Sequence, residues 1–457
     1  MVLGIGASIN RGLLRQVIVS TISQLSVFVT GAAYCWFEPL TLRLREDPNF
    51  MMTSEEVSWL IAVVEIGAAS SPMLAGYLSD RYGRKYVILS VGPMCLVGWV
   101  MALLWKNVWI LGVMRLLHGM AIGVGFTVAP IYTAEVADPK LRGVLSGTFM
   151  TAMYAGSLFV FCIGPYLSYD IFGYACLPVP IAFTIMFMFC PETPYFFLMN
   201  GKLEKAKEVL MYFRDSKNVD EEIAQMKAAV EEETSGSSSW RTLFFDKGER
   251  KAFIIVNIVC IAKYMTGMPV IANYAIETFS KSSSSLSPEE MSIILMVLLT
   301  GIAILASFLS DWFGRKPLLL ISCFGCFVAH LFSGLYYYLH EKTSYDSPPW
   351  MLYLGIALYC FCSDIGLGPL LQTLLGEMFG ASTRGLANGI TEGLAAVWSF
   401  SALKSYSPVN EAFGIYLNFW FYSGIAFVSG VVLWIMLYET AGKTIGEKED
   451  KIDKSPS

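Results

Sequence analysis

Apolar residues are gathered along this chain into long, nearly unbroken runs, separated by short loops where Gly, Pro, Lys and Arg concentrate. A run of roughly 20 apolar residues is the length an α-helix needs to cross about 30 Å of hydrocarbon. The strands of a membrane barrel alternate polar and apolar residues over about 10 positions, and these runs do not alternate. They predict spans at 17–38, 57–79, 86–105, 108–134, 145–168, 172–190, 252–279, 289–312, 317–340, 350–379, 386–404 and 413–438, an all-α membrane protein of twelve transmembrane helices. The weakest of these is 386–404, rich in Gly and Ala and containing Glu392.

The longest polar stretch separates six spans from six, which divides the chain into a six-helix half over 1–190, a linker over 191–251, a second half over 252–440 and a tail over 441–457. Inside the linker, Leu203, Ala206, Val209, Leu210 and Phe213 recur at helical spacing, as do Ile223, Met226 and Val230. They predict short amphipathic helices on one membrane face, followed by a flexible joint at Thr234–Ser239.

Composition agrees with the pattern: of 457 residues 55% are apolar and 15% charged, where a soluble chain carries about 25% charged residues. With both termini on the cytoplasmic side, the inner segments hold 24 of the 32 Lys and Arg residues and the outer loops six, the excess that cytoplasmic loops retain. No apolar stretch followed by a small-residue cleavage site opens the chain, so the first span is expected to stay in the protein. All ten cysteines fall in the spans as small apolar residues, and Cys323-x-x-Cys326 reads as structural. Gly119 and Gly123, four apart, predict a close helix approach, and His118 a packing role. Neither a P-loop, His-Glu-x-x-His nor Gly-x-Ser-x-Gly is present, so no cofactor, metal or catalytic residue is expected, and movement of a solute would be downhill or ion-driven.

The halves repeat each other. Leu78-Ser-Asp-Arg-Tyr-Gly-Arg-Lys85 after span 2 matches Leu309-Ser-Asp-Trp-Phe-Gly-Arg-Lys316 after span 8. Glu135 with Arg142-Gly143 after span 4 matches Glu377 with Arg384-Gly385 after span 10, and Pro191-Glu-Thr-Pro194 is echoed by Glu439-Thr440. Charged groups at inner helix ends, with Gly83 and Gly314 for tight turns, suit a reversible latch, because each half-exposed pair is worth only about 0–1 kcal/mol. The expected network is Asp80, Arg81, Gly83, Arg84, Arg115, Glu135, Arg142, Glu192, Asp311, Gly314, Arg315, Glu377, Arg384 and Glu439.

Through these motifs, with Pro130-Ile-Tyr-Thr-Ala-Glu135, Pro191-Glu-Thr-Pro-Tyr-Phe196 and Gly376-Glu-Met-Phe379, the chain resembles the sugar porters of the major facilitator superfamily, and among them the insect facilitated trehalose transporters, from about Ser20 to Thr440. The resemblance implies two pseudo-symmetric six-helix halves around a central site, alternating access, a sugar as small-molecule partner and the plasma membrane as location. The positions that carry amides and an indole in that family differ here. Met150 stands where a span-5 Gln is usual, Lys263-Tyr-Met-Thr-Gly-Met-Pro269 replaces the Gln-rich span-7 motif, Leu299 falls where span 8 has an Asn, and Leu371-Gln372 replaces a Pro-Trp.

Ionisable residues at membrane depth take their place: Glu65, Arg115, Lys263, Asp364 and Glu392. A charge there costs at least about 2.5–3.5 kcal/mol, so it faces a cavity or a partner. Lys263 has Glu392 or Glu65 as expected partners, with binding of an anionic substrate, or titration if desolvation lowers its pKa, as the other uses. Candidate substrate-facing residues are Met150, Lys263, Tyr264, Thr266, Asn273, Tyr274, Gln372, Glu392 and Trp398. The first span lacks the Asp that proton-coupled sugar porters have in common, which favours facilitated movement of trehalose or a hexose. A carrier of an organic anion or other solute, and a sensor that binds without transporting, are the alternatives. The lipid bilayer is the expected surrounding and nucleic acid is not expected as a partner.

Overall fold

The computed structural model describes residues 11–41, 44, 52–216, 218–235, 240–281, 286–309, 314–343, 348–379 and 381–437, and the regular structure among these is helical throughout. In chain order the long segments are α1 (Arg11–Leu40), α2 (Ser54–Ser70 continued at 40° by Pro72–Tyr82), α3 (Arg84–Leu104), α4 (Val108–Val136), α5 (Gly143–Tyr166), α6 (Tyr169–Met188), α7 (Lys247–Asn273), α8 (Pro288–Ala306), α9 (Arg315–Lys342), α10 (Pro349–Met378), α11 (Ala381–Phe413) and α12 (Ile415–Met436). With the bent pair counted as one, eleven of these described segments are long and apolar enough to cross a membrane. At 33 residues α11 is long enough, but Thr383, Asn388, Thr391, Glu392, Ser399 and Lys404 dilute its apolar character, which is the weakness of the 386–404 pattern.

Local chemistry starts the helices. Thr53 and Glu56 form a capping box ahead of α2, and the Asp246 carboxylate accepts from the backbone N–H groups of Gly248 and Glu249 ahead of α7. Three helices are broken near mid-depth. Pro72 lacks the N–H that would continue α2, Gly267 takes φ +92° ahead of Pro269 in α7, and α10 passes through a π-turn at Ser363–Leu367 before Gly368-Pro369. Pro72 and Pro269 border the space between the halves, and the Gly368 carbonyl beyond the π-turn accepts from a side chain of α7.

Within the first half α1 packs on α5 and α2 on α4; within the second, α9 packs on α12 and α7 on α11. A Cβ on Gly119 would strike the Val64 carbonyl and one on Gly123 the Ser71 hydroxyl, so the small pair does let α4 close on α2. The halves meet where α2 runs beside α11 and α5 beside α8.

The linker helices Pro194–Met199, Leu203–Arg214, Asp220–Ser235 and Trp240–Phe245 lie on one face of the bundle, called here the linker face. Ala206 and Leu210 bury against Leu198, Ile223 and Val230, while Phe213 joins the main core, as the spacing predicts. Arg214 clamps Glu222 through two nitrogens at 2.7–3.1 Å and donates to the Val136 carbonyl at 3.1 Å. Gln16 donates to the Phe213 carbonyl at 2.9 Å, so this part of the linker is docked on the first half. Of the joint expected at Thr234–Ser239, Thr234 and Ser235 close the helix Asp220–Ser235 rather than leaving it, and 236–239 lie outside the described residues.

Candidate functional site

A central cavity lies between the halves, open at its mouth. Helical spacing explains its walls. Met150, Met153, Tyr154 and Ser157 on α5, and Glu392, Ala395, Ala396 and Ser399 on α11, each follow i, i+3, i+4, i+7, so one face of each helix turns inward. Glu65, Ala68 and Pro72 come from α2, Ile122, Gly123 and Phe126 from α4, Tyr34 and Cys35 from α1, and Met296 from α8. The break in α7 adds Lys263, Tyr264, Met268, Pro269 and Ala272.

Two polar clusters tie the halves together at this depth. Glu65 Oε1 accepts from the Tyr34 hydroxyl at 2.9 Å and from Ser399 of the other half at 2.7 Å. The Tyr154 hydroxyl donates to Asp364 Oδ1 across the same divide at 3.1 Å. Nearer the far face, Glu38 accepts from the Ile276 backbone N–H at 2.6 Å, and the Cys35 thiol lies 3.7 Å from the Ala272 carbonyl. Toward the linker face, Gly76, Gly143, Gly376 and Gly385 would carry a Cβ with no atom within 4 Å. Gln372, an exposed side chain of α10, donates to Glu392, so solvent reaches the cavity from that face.

Lys263 pairs with neither carboxylate expected for it. Its Nζ donates to the Gly368 carbonyl at 3.2 Å, the acceptor freed beyond the π-turn of α10, and lies 5.3 Å from the Tyr264 ring. Glu65 is taken up by neutral hydroxyls and Glu392 by Gln372.

Of the candidates read from the sequence, Met150, Lys263, Tyr264 and Glu392 line the cavity, and Gln372 borders it through Glu392. Thr266 is buried in the α7 break, donating to the Ala262 carbonyl. Asn273 donates to the Pro269 carbonyl, and Tyr274 packs on Tyr406 with ring centroids 4.6 Å apart. These three and Trp398 lie outside the lining. Tyr34, Tyr154, Ser157 and Ser399 line it and were missed. A tyrosine or serine in an apolar run carries no signal until its face is known. Glu65 and Asp364 did carry one, as charges at membrane depth.

At the linker face Arg84 gathers the first-half network: Nε lies 3.2 Å from Glu135 Oε1, Nη2 3.2 Å from Asp80, and Nη1 donates to the Ser79 carbonyl. Glu192 accepts from the backbone N–H groups of Lys85 at 3.0 Å and Thr193 at 2.9 Å, and burial pushes its carboxyl above the usual carboxylate range. Gly83 permits the turn at φ +112°, where a Cβ would strike the Glu192 carboxylate. The second half repeats the ion pair as Arg315–Glu377 at 3.0 Å. It also repeats a cap: Lys85 donates to the Met188 carbonyl at 2.8 Å and Lys316 to the Trp434 carbonyl at 2.9 Å. Gly314 takes an ordinary φ of −58°, so its turn differs from that at Gly83. Arg81 turns outward onto Tyr77 and Tyr82.

Arg115 does not belong to this network. Twenty residues of α4, about 30 Å of helix, separate it from Glu135, and its guanidinium is fully buried on the carbonyls of Leu60, Ala33 and Tyr34 at 2.8–3.1 Å. The side chains of Arg142 and Arg384, and the whole of Asp311 and Glu439, lie outside what the structure describes.

The family profile described as "Sugar (and other) transporter" matches residues 21–451. The facilitated trehalose transporter Tret1 of Polypedilum vanderplanki is 25% identical over 443 residues, 96% of this chain and 88% of that protein. Tret1 of Bombyx mori is 26% identical over 422 residues, 90% of this chain and 81% of that protein. Among solved structures, the inward open conformation of the xylose transporter XylE from E. coli superposes with a TM-score of 0.79 at 19% identity, covering 95% of this chain and 99% of that one, which shows the major facilitator fold.

Proposed function

The chain belongs to the sugar (and other) transporter family, a family of carriers and not of enzymes, and from that premise we propose that it moves a sugar, trehalose or a hexose, across the membrane by alternating access without ATP. One observation carries the reading: a cavity is walled by both halves, bonded shut toward the far face and reached by solvent from the linker face. In an alternating-access cycle the halves 1–190 and 252–440 rock about this cavity, the linker 191–251 and the tail 441–457 staying on the cytoplasmic side with both termini, at the plasma membrane. The 24-to-six excess of Lys and Arg supports that orientation.

Sugar hydroxyls have partners here that differ from the amides usual in the family. Glu65 and Glu392 accept hydrogen bonds from hydroxyls, Lys263 has donors to spare beyond its bond to Gly368, Tyr154 and Ser157, whose own protons go to Asp364 and to backbone carbonyls, can accept, and Tyr34, Phe126 and Tyr264 offer faces to a ring. Within the first half, Asp80, Arg84, Glu135 and Glu192 brace the linker-face helix ends against the Pro191–Pro194 segment, which lets that half move as one body. An anionic substrate is not favoured, because Lys263 is engaged by a carbonyl and carboxylates outnumber cations around it.

Proteoliposomes holding the purified protein should take up labelled trehalose or glucose saturably, and Glu135→Gln should slow that uptake by loosening the brace. Absence of saturable uptake of either sugar overturns the reading.

A further inference from the structure

The central polar layer is short of positive charge. Among the described residues at this depth, three carboxylates, Glu65, Asp364 and Glu392, stand against two cations, Arg115 and Lys263. Neither cation is bonded to a carboxylate: Arg115 is held by backbone carbonyls with Nη2 unpaired, and Lys263 donates to Gly368. The imbalance is local. Arg115 is the cation on the Glu65 side, whereas Asp364 and Glu392 share Lys263 alone.

Two unmet acceptors face inward. Glu65 is 6% exposed and lines the cavity; its Oε1 is engaged and its Oε2 has no partner. Glu392 lines it from the other half, its Oε1 held by Gln372 and its Oε2 likewise unpartnered. Ser399, which holds Glu65, is seven residues from Glu392 on the same face of α11, so the two carboxylates are separated by about 10 Å along the helix. Excess negative charge between low-dielectric walls calls for a bound cation. Carboxylate oxygens beside aromatic faces are what hold an ammonium.

We infer that the preferred sugar carries a positive charge: an amino sugar whose ammonium binds Glu392 while its hydroxyls reach Glu65, Tyr154 and Ser157. The inference rests on the reading of the cavity as a sugar site. Glucose and glucosamine, which differ only in a hydroxyl or an ammonium at one carbon, separate the two. In proteoliposomes at a mildly acidic pH, glucosamine uptake should exceed glucose uptake at least about tenfold in kcat/KM, a difference of about 1.4 kcal/mol, and an inside-negative potential should accelerate it. Glu392→Gln should collapse that ratio toward one, whatever it does to either rate; an unchanged ratio overturns the assignment to Glu392. Glucose taken up as fast as glucosamine or faster overturns the inference and leaves the sugar reading standing. Glucose uptake driven by an inward proton gradient overturns it too, assigning the missing charge to a proton. If neither sugar is taken up or protects the protein against thermal unfolding, both readings fall.

Discussion

Ser399 on α11 donates a 2.7 Å hydrogen bond to Glu65 on α2, so one carboxylate at mid-depth is shared by the two halves. A hydrogen bond to a charged group is worth about 1.5–3 kcal/mol, and as a bond between the halves this one favours the arrangement seen here, closed toward the far face. Ser399→Ala should therefore raise the population open to the far side by about tenfold or more. Cys35 reports on it, since its thiol is buried at that seam beside the Ala272 carbonyl. A membrane-impermeant maleimide applied from the far side should label Cys35 several-fold faster in the variant. An unchanged rate would mean that the bond does not hold the seam.

Gly83 is the hinge of the latch in the first half. At φ +112° a side chain is strained, and here it would also meet the Glu192 carboxylate. Strain of this kind costs about 1–3 kcal/mol, so Gly83→Ala should lower the melting temperature and slow uptake together. Gly314→Ala, at an ordinary φ of −58°, should do neither. Equal effects of the two substitutions would show that the repeated motif works through its charges alone.

What was legible in the sequence follows from what has a period or a charge. The spans, the linker helices at Ala206–Phe213 and the paired signatures were readable because apolar spacing and charged helix ends survive in one dimension. The ion pairs Arg84–Glu135 and Arg315–Glu377 could be anticipated as repeats of each other, but Arg115 could not be separated from them until its carbonyl partners placed it some 30 Å of helix away. The cavity was only half legible. Met150 and Glu392 were found, yet the i, i+3, i+4, i+7 faces that bring in Tyr154 and Ser399 mean nothing before the partner helices are known. Tyr274 and Asn273 were misleading for the opposite reason: both are polar residues in a span that satisfy their own neighbourhood.

Lys263 is the nearest cation to two carboxylates although it touches neither. Lys263→Met should leave Asp364 and Glu392 without their shared cation, a loss of about 1–3 kcal/mol, less than the about 3–5 kcal/mol of a broken buried ion pair because the direct bond is to the Gly368 carbonyl. Adding Glu392→Gln removes one of the stranded charges, so the double variant should melt above Lys263→Met. Thermal unfolding of the purified variants measures the coupling. Additive losses would mean that the charges do not sense one another.

Glu192 sets a pH dependence at the linker face. Burial raises its carboxyl above the usual range, against the pull of the Thr193 and Lys85 backbone N–H groups. A raised folded-state value means that the folded protein binds the proton more tightly than the unfolded chain does. The stabilisation this gives is fully present below the unfolded value, near about pH 4.3, and is lost as pH rises through the folded one. Glu192→Gln cannot titrate and keeps one acceptor oxygen, so it carries a constant offset with no such loss. Melting temperatures measured from about pH 4 to about pH 8 should therefore fall in the wild type relative to the variant as pH increases. A difference that stays flat across that range would place Glu192 in water, and would remove it from the closed end of the latch.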